Sequence, residues 1–336
     1  MPPSAGGVAP GRKPSPRAVA ARAISSAAST ADERNEVGIG YIGLGDMGGA
    51  LAIRLQSQRQ ISVYDRDAAA MAKLAAEGAI AAESAADLAR TCTTVLLCLP
   101  TSDHVRSVIF GEGGLAETLA PGSLVIDQTS GDPTTTRELA AELAAYRITL
   151  ADAPVSGGAP AALAGTISIM LGAADGVVDR ASEVLRSISQ TIAHVGAVGA
   201  GHTIKLVNNL LSCSQRWLSL EALALAVANG ITAEAALKVL VAGGGRNAYL
   251  EQQGIKILDG DRDRGFSMGL AHKDLKLATA LGASSGVPTF FGSLSRDLYQ
   301  VGIAELGRDS HVETVASVVE KLAGVELKSV RAGGGA

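Results

Sequence analysis

The chain has 336 residues, 47% of them hydrophobic and 18% charged, with a net charge of −4, which describes an ordinary soluble protein long enough for two domains, each with its own core. The negative balance excludes a surface for nucleic acid or anionic membrane, and aromatics at 3% exclude a stacking platform for single strands. Cys92, Cys98 and Cys213 are an odd number without metal-ligand spacing, so no metal site and a reducing compartment are expected, and no apolar stretch is long enough to span a bilayer.

Residues 1–35 place Arg12, Lys13, Arg17 and Arg22 among Ala, Ser, Pro and Gly, with no acid before Asp32. Such a composition cannot bury a core, and a disordered tail is expected there and over 329–336. An Arg-rich, Ser-rich, acid-poor start suits a mitochondrial transit segment, but early prolines oppose an amphipathic helix; a bacterial extension is the other reading. Cytoplasm, with the mitochondrial matrix as alternative, is the expected location.

The apolar run Val37 to Ile42 then leads into Gly43-Leu44-Gly45-Asp46-Met47-Gly48, a helix through Leu51, Ile53 and Leu55, and a strand Ile61 to Asp65. Strand, glycine turn, helix and strand ending in an acid form a dinucleotide fingerprint: the glycines give a tight turn, room for the pyrophosphate and close helix packing, and the phosphates sit on the positive helix end. Asp65 falls where a ribose-binding acid belongs. Its carboxylate repels a 2′-phosphate and favours NAD, while Arg66 beside it keeps NADP open.

Further strands are expected at Thr94 to Leu99, Leu124 to Gln128, Ile148 to Ala151, Ile167 to Leu171 and Ile192 to Val195. Helices between them include Ala68 to Glu77, Ala85 to Ala89, His104 to Phe110 and Pro133 to Tyr146, the last opened by Asp132-Pro133. The pattern changes near Gly199. Apolar residues from Ile204 to Val227 recur at helical spacing up to Asn229-Gly230, and the remainder of the chain reads as helix only: Ala233 to Val241, Tyr249 to Ile257, Met268 to Leu281, Thr289 to Val301 and Thr314 to Leu322. The expected fold is α/β: a Rossmann-type, mostly parallel sheet domain over 36–198, joined by a long interdomain helix to an all-helical domain over 199–328, with the active cleft between them.

Three segments point to chemistry. Asp152-Ala153-Pro154-Val155-Ser156-Gly157-Gly158 ends in a bend able to cradle a carboxylate, or is a plain turn. Gly201-His202-Thr203-Ile204-Lys205-Leu206-Val207-Asn208-Asn209 puts Lys205 and Asn209 on one helix face; Lys205 alone reads as a solvated surface group, and His202 as a capping or solvent-facing one. Lys273-Asp274-Leu275-Lys276-Leu277-Ala278 brings another lysine within reach of the cleft, or is a solvated helix face.

With Tyr41-Ile42-Gly43-Leu44-Gly45-Asp46-Met47-Gly48 and Leu99-Pro100, these motifs, in this order from Val37 to Leu327, resemble the β-hydroxyacid dehydrogenase family. The resemblance implies Lys205 as catalytic residue, Asn209 as substrate holder, and Ser156, Gly157 and Gly158 as carboxylate binders. It implies cofactor contacts from Gly43, Leu44, Gly45, Met47, Gly48, Asp65, Arg66, Leu99, Pro100, His104, Ser130 and Lys273, although Asp127-Gln128-Thr129-Ser130-Gly131 and His104 depart from the usual residues. It also implies NAD or NADP as cofactor, a small hydroxy-acid substrate, no metal, and a homodimer or homotetramer.

The chemistry is then oxidation of a 3-hydroxy acid to its semialdehyde, or the reverse, with Lys205 as base or acid. Arg246, Asn247 and Tyr249 are candidates for the variable end of the pocket, with Arg246 alternatively a loop cation. An imine reductase-like enzyme is a competing reading that Lys205 opposes, a non-catalytic dinucleotide-binding module is another, and a phosphogluconate-type decarboxylase lacks a basic patch for its phosphate.

Overall fold

Parallel pairing of short, fully buried apolar strands builds the first half of the molecule. The computed structural model describes residues 38–263 and 265–329. In chain order come β1 (Ile39–Ile42), α1 (Asp46–Gln56), β2 (Ser62–Tyr64), α2 (Ala68–Ala76), β3 (Ile80–Ala81), α3 (Ala85–Thr91), β4 (Thr94–Leu97), α4 (Ser102–Phe110), α5 (Leu115–Thr118), β5 (Leu124–Asp127), α6 (Pro133–Ala144) and β6 (Thr149–Asp152). The six strands lie parallel in the order β3-β2-β1-β4-β5-β6. All of β1, β4 and β5 is buried, as expected where helices cover both faces of a sheet. One face packs on Leu51, Leu55 and Leu74, the other on Leu88, Val105, Ile109 and Leu139. Strand order reverses between β1 and β4, so the crevice at their C-terminal ends is the place for a ligand.

The sheet continues as a mixed edge: β7 (Val155–Ser156), α7 (Gly158–Leu163), β8 (Ser168–Gly172), α8 (Asp175–Leu185) and β9 (Ile192–Gly196). Strand β8 runs antiparallel to β6 and β7, and β9 parallel to β8. Sequence periodicity misses β3, β7 and the helices α5, α7 and α8. The two strands have two residues each, α7 carries Pro160, and α8 begins Asp175-Gly176-Val177-Val178, residues of low helix propensity. Helix starts are more legible, because Asp67, Ser84, Thr101, Asp132, Asn247 and Ser267 each accept a first-turn amide.

The second half is helical: α9 (Ala200–Ala228), α10 (Ala233–Ala242), α11 (Ala248–Leu258), α12 (Met268–Ser285), α13 (Phe290–Leu306), a 3₁₀ turn (Val312–Thr314) and α14 (Val315–Ala323). Gly286 and Gly324 end their helices in the left-handed region, where glycine carries no Cβ penalty. The core of this half is Trp217, Leu220, Met268, Leu275, Tyr299 and Val315. A buried polar knot runs through it. Arg216 donates to Glu313 Oε1 at 3.1 Å and Oε2 at 3.3 Å and to the Tyr299 hydroxyl at 2.9 Å, and Tyr249 donates to Glu313 at 3.0 Å. The guanidinium also lies 5.2 Å from the centre of the Tyr249 ring. The expected tails over 1–35 and 329–336 fall outside the described residues, apart from Ser329, whose amide donates to Leu258 O.

Removing one partner of a buried ion pair leaves an uncompensated charge, so Glu313→Ala is expected to cost about 3–5 kcal/mol, read as a lower urea midpoint.

Candidate active site

The glycine turn separates its residues by what surrounds them. Gly43 has φ +94, and a Cβ there would stand 2.3 Å from Cys98 O; one on Gly48 would stand 2.0 Å from Gly43 O. Backbone shape and packing therefore require both. Gly45, with φ −62, would place its Cβ in open space with nothing within 4 Å. No protein atom asks for glycine there, and an incoming group lying on the backbone would. Gly45 is also the N-cap of α1 and offers no side-chain cap, so the first-turn amides face that space with the helix dipole behind them. These features fit the pyrophosphate of a dinucleotide.

Asp65 is tied to the same turn: Leu44 N donates to its Oδ2 at 2.6 Å and Asp67 N to its Oδ1 at 2.8 Å. Each oxygen keeps a second lone pair able to accept a further hydrogen bond. Arg66 beside it is exposed and Met47 packs against the core. Leu99 lies against Gly43, and its amide donates to Thr129 Oγ1 at 3.1 Å. Burial and Asp127 push the neighbouring Cys98 thiol up to about 12, which keeps it neutral. His104 is exposed, its ring 2.8 Å from Thr101 Oγ1, the cap of its own helix.

A second turn, at 156–158, leads into α7, which packs on α1. Gly157 has φ +140 and Gly158 φ +80, a pair of values that leaves glycine little alternative. Ser156 Oγ accepts from Asn208 Nδ2 at 3.4 Å, and Asn208 Nδ2 also donates to Asn209 Oδ1 at 3.1 Å. Asn209 Nδ2 donates in turn to Asp274 Oδ2 at 2.6 Å. Lys273, one residue back on α12, reaches the carbonyls of Pro100 at 3.1 Å and Ser130 at 2.6 Å and lies 3.2 Å from Asp274 Oδ1. An unbroken polar line thus runs from Ser156 to the loops after β4 and β5. Lys205 is half-buried and makes no hydrogen bond or ion pair among the described residues. Burial lowers its pKa, against the opposing pull of Asp274.

Two members of that line, Asn208 and Asp274, are not singled out by the sequence. Asp274 carries a signal, because it shares the helix face of Ala271, Leu275 and Ala278 and is 3% exposed. His202 corrects the expectation of a capping or solvent-facing ring: it is fully buried, with Nδ1 2.7 Å from Thr136 Oγ1. The structure gives other work to the three residues considered for the variable pocket end. Tyr249 serves Glu313, Asn247 caps α11 and bonds Ser219, and Arg246 pairs with Glu251 as a loop cation.

Known proteins resemble the chain across both halves. Residues 38–196 match the family model of the NAD binding domain of 6-phosphogluconate dehydrogenase, and 199–319 that of the NAD-binding of NADP-dependent 3-hydroxyisobutyrate dehydrogenase. The 2-(hydroxymethyl)glutarate dehydrogenase of Eubacterium barkeri is 36% identical over 86% of this chain and 97% of its own. The chain belongs to the β-hydroxyacid dehydrogenase family. A second member, the NAD-dependent L-serine dehydrogenase of Pseudomonas aeruginosa, is 34% identical over 84% of this chain and 97% of its own. The solved 3-hydroxyisobutyrate dehydrogenase of Mycobacterium tuberculosis, described with L-serine, superposes with a TM-score of 0.77 at 28% identity, covering 84% of this chain and 99% of that one. This β-hydroxyacid dehydrogenase is an NAD(P)-dependent oxidoreductase of the CH–OH group. Among the described residues no helix is long and apolar enough to cross a membrane.

The glycines give a paired expectation. Gly45→Ala should lower the thermal midpoint only slightly, through the poorer N-cap, while weakening NADH binding at least about tenfold, a loss of about 1.4 kcal/mol; Gly48→Ala should lower both strongly. Differential scanning fluorimetry with a nucleotide fluorescence titration checks this.

Proposed function

We propose that this family member is an NAD-preferring dehydrogenase interconverting a small 3-hydroxy carboxylic acid and its semialdehyde, with Lys205 as general acid and base. The observation that carries the reading is the half-buried, unpaired Lys205 beside the polar line from Ser156 to Lys273. L-serine and 2-(hydroxymethyl)glutarate, named for two relatives, both place a hydroxymethyl group one carbon from a carboxylate, and that unit is the common substrate element. Ser156 Oγ with the bare amides of Gly157 and Gly158 takes the carboxylate, and Asn209 orients the hydroxyl.

When bound, the nicotinamide accepts or supplies the hydride. The chain supplies the proton chemistry: neutral Lys205 takes the hydroxyl proton during oxidation, and its ammonium returns one to the carbonyl during reduction. An ordinary lysine near 10.4 is charged at neutral pH; burial favours the neutral amine, while Asp274 keeps the ammonium accessible. Asp65 supports NAD, since a 2′-phosphate would meet its carboxylate.

Three free cysteines support a reducing compartment such as the cytoplasm. A homodimer or homotetramer is supported by an apolar stripe on α9: Ile204, Leu211, Leu218 and Leu225, seven residues apart, are 38%, 55%, 67% and 68% exposed. Their first member also lines an open hollow of about 510 Å³ with Arg137, Val195, Val198 and Thr203. Contiguous exposed apolar surface of this kind marks a protein contact.

Lys205→Ala is expected to lower kcat about 10²–10⁴-fold with NADH affinity retained, in initial rates on a panel of 3-hydroxy acids with NAD and NADP. Wild-type oxidation should fall as pH drops through the Lys205 pKa and reduction as pH rises through it, with the midpoint below 10.5; a lysine-independent profile and full activity in the variant would refute the role. Sedimentation should give a dimer or larger for the wild type and a smaller species for Leu218→Glu; a monomeric wild type removes the oligomer from the proposal.

A further inference from the structure

We infer that Asp152 is a positioning residue that hangs the first turn of α9, and with it Lys205, on the same strand end that leads into the Ser156–Gly158 turn. The inference rests on the role proposed for Lys205.

Asp152 ends β6 and is fully buried. Its Oδ1 accepts from Gly199 N at 2.6 Å and its Oδ2 from His202 N at 2.7 Å. The first amides of a helix have no partner within it, and the N-cap of α9 is Gly199, which has no side chain to provide one. A carboxylate from a distant strand therefore does the capping, at the positive end of a 29-residue helix.

The fit leaves no slack. A Cβ on Gly172 would stand 2.5 Å from Asp152 Oδ1; one on Gly201 would stand 2.4 Å from Met170 O and 2.8 Å from Asp152 Oδ2. Two glycines thus let β8 and α9 close over the carboxylate. His202 is wedged beside it. Its Nδ1 meets Thr136 of α6, its Nε2 stands 3.9 Å from Asp127 Oδ2 without a hydrogen bond, and a Cβ on Gly131 would be 3.1 Å from its Cε1. The first turn of α9 is thereby fixed to the end of β6, to α6 and to the loop after β5.

Lys205 follows His202 by three residues, less than one helical turn, so a displacement at the cap passes directly to its amine. Ser156 follows Asp152 by four residues. One carboxylate accordingly sets the distance between the group that would move the proton and the turn that would hold the substrate. Desolvation raises the Asp152 pKa, offset by His202 and by the two amides. Asparagine can accept only one of those amides and turns an N–H toward the other.

The test compares Asp152→Asn, Asp152→Ala and Lys205→Ala with the wild type for kcat, KM, NADH affinity, thermal midpoint and the rate at which an acylating reagent modifies Lys205, read by peptide mass spectrometry. Asp152→Ala should lose about 100-fold in kcat, the scale of an ångström misplacement, with a clearly smaller loss of NADH affinity because the glycine turn does not lie on α9. Asp152→Asn, the milder change, should lose about tenfold, and Lys205 acylation should change at least about threefold in both. If Asp152→Ala does not fold, Asp152→Asn carries the test. The inference is overturned if Asp152→Asn keeps kcat and Lys205 reactivity at wild-type values, or if kcat falls only in step with NADH affinity and thermal midpoint. An active Lys205→Ala would refute the lysine role itself, whereas an inactive one beside a wild-type-like Asp152→Asn refutes only the positioning.

Discussion

The candidate site depends on one helix being held at two levels. At its first turn α9 is capped by the buried carboxylate of Asp152; two turns later Asn209 is bound to Asp274 on α12. Between these anchors the backbone of Lys205 is held by the helix, and its amine has no hydrogen-bond or ion-pair partner among the described residues. Capping fixes the helix along its axis, and the Asn209 bond fixes its rotation, which keeps Lys205 near the charges of Asp274 and Lys273.

Both anchors are buried carboxylates, a costly arrangement unless each oxygen is satisfied. Asp152 meets that condition with two amides. Asp274 meets it less completely: Oδ2 takes the Asn209 amide, while Oδ1 has the charge of Lys273 nearby but no hydrogen bond of good geometry. Lys273 itself is shared with the Pro100 and Ser130 carbonyls, so this cation ties the helical half to the loops that border the cofactor crevice. The Arg216–Glu313 knot is different in kind. It lies in the core of the helical half, bound to two tyrosines, and touches none of the site residues.

The long helix carries two apolar faces with different surroundings. From Ile204 to Val227 apolar residues recur at helical spacing and occupy most of its circumference. In the folded chain Leu206, Cys213, Trp217, Leu220 and Leu223 face the core, while Leu211, Leu218 and Leu225 face outward. One residue set packs the core of the helical half and the other lies on its surface.

The amino-acid sequence by itself determined the dinucleotide fingerprint, the longer strands and helices, the 29-residue helix and the family resemblance, because these are local properties or motifs at fixed spacing. A glycine at φ +94, a cap residue before a helix, or an acid at the tip of the second strand acts within a few residues or at a fixed spacing. Only the tertiary structure decided which polar residues meet. Asn208 and Asn209 are adjacent in sequence, yet one turns to Ser156 and the other to Asp274. His202 reads as a helix-start residue open to solvent and is instead buried between α6 and two carboxylates. Strands β3 and β7, two residues each, exist because a neighbouring strand offers an edge. The physical reason is the same in each case: hydrogen bonding and burial between distant segments depend on packing in three dimensions, which periodicity along the chain does not encode.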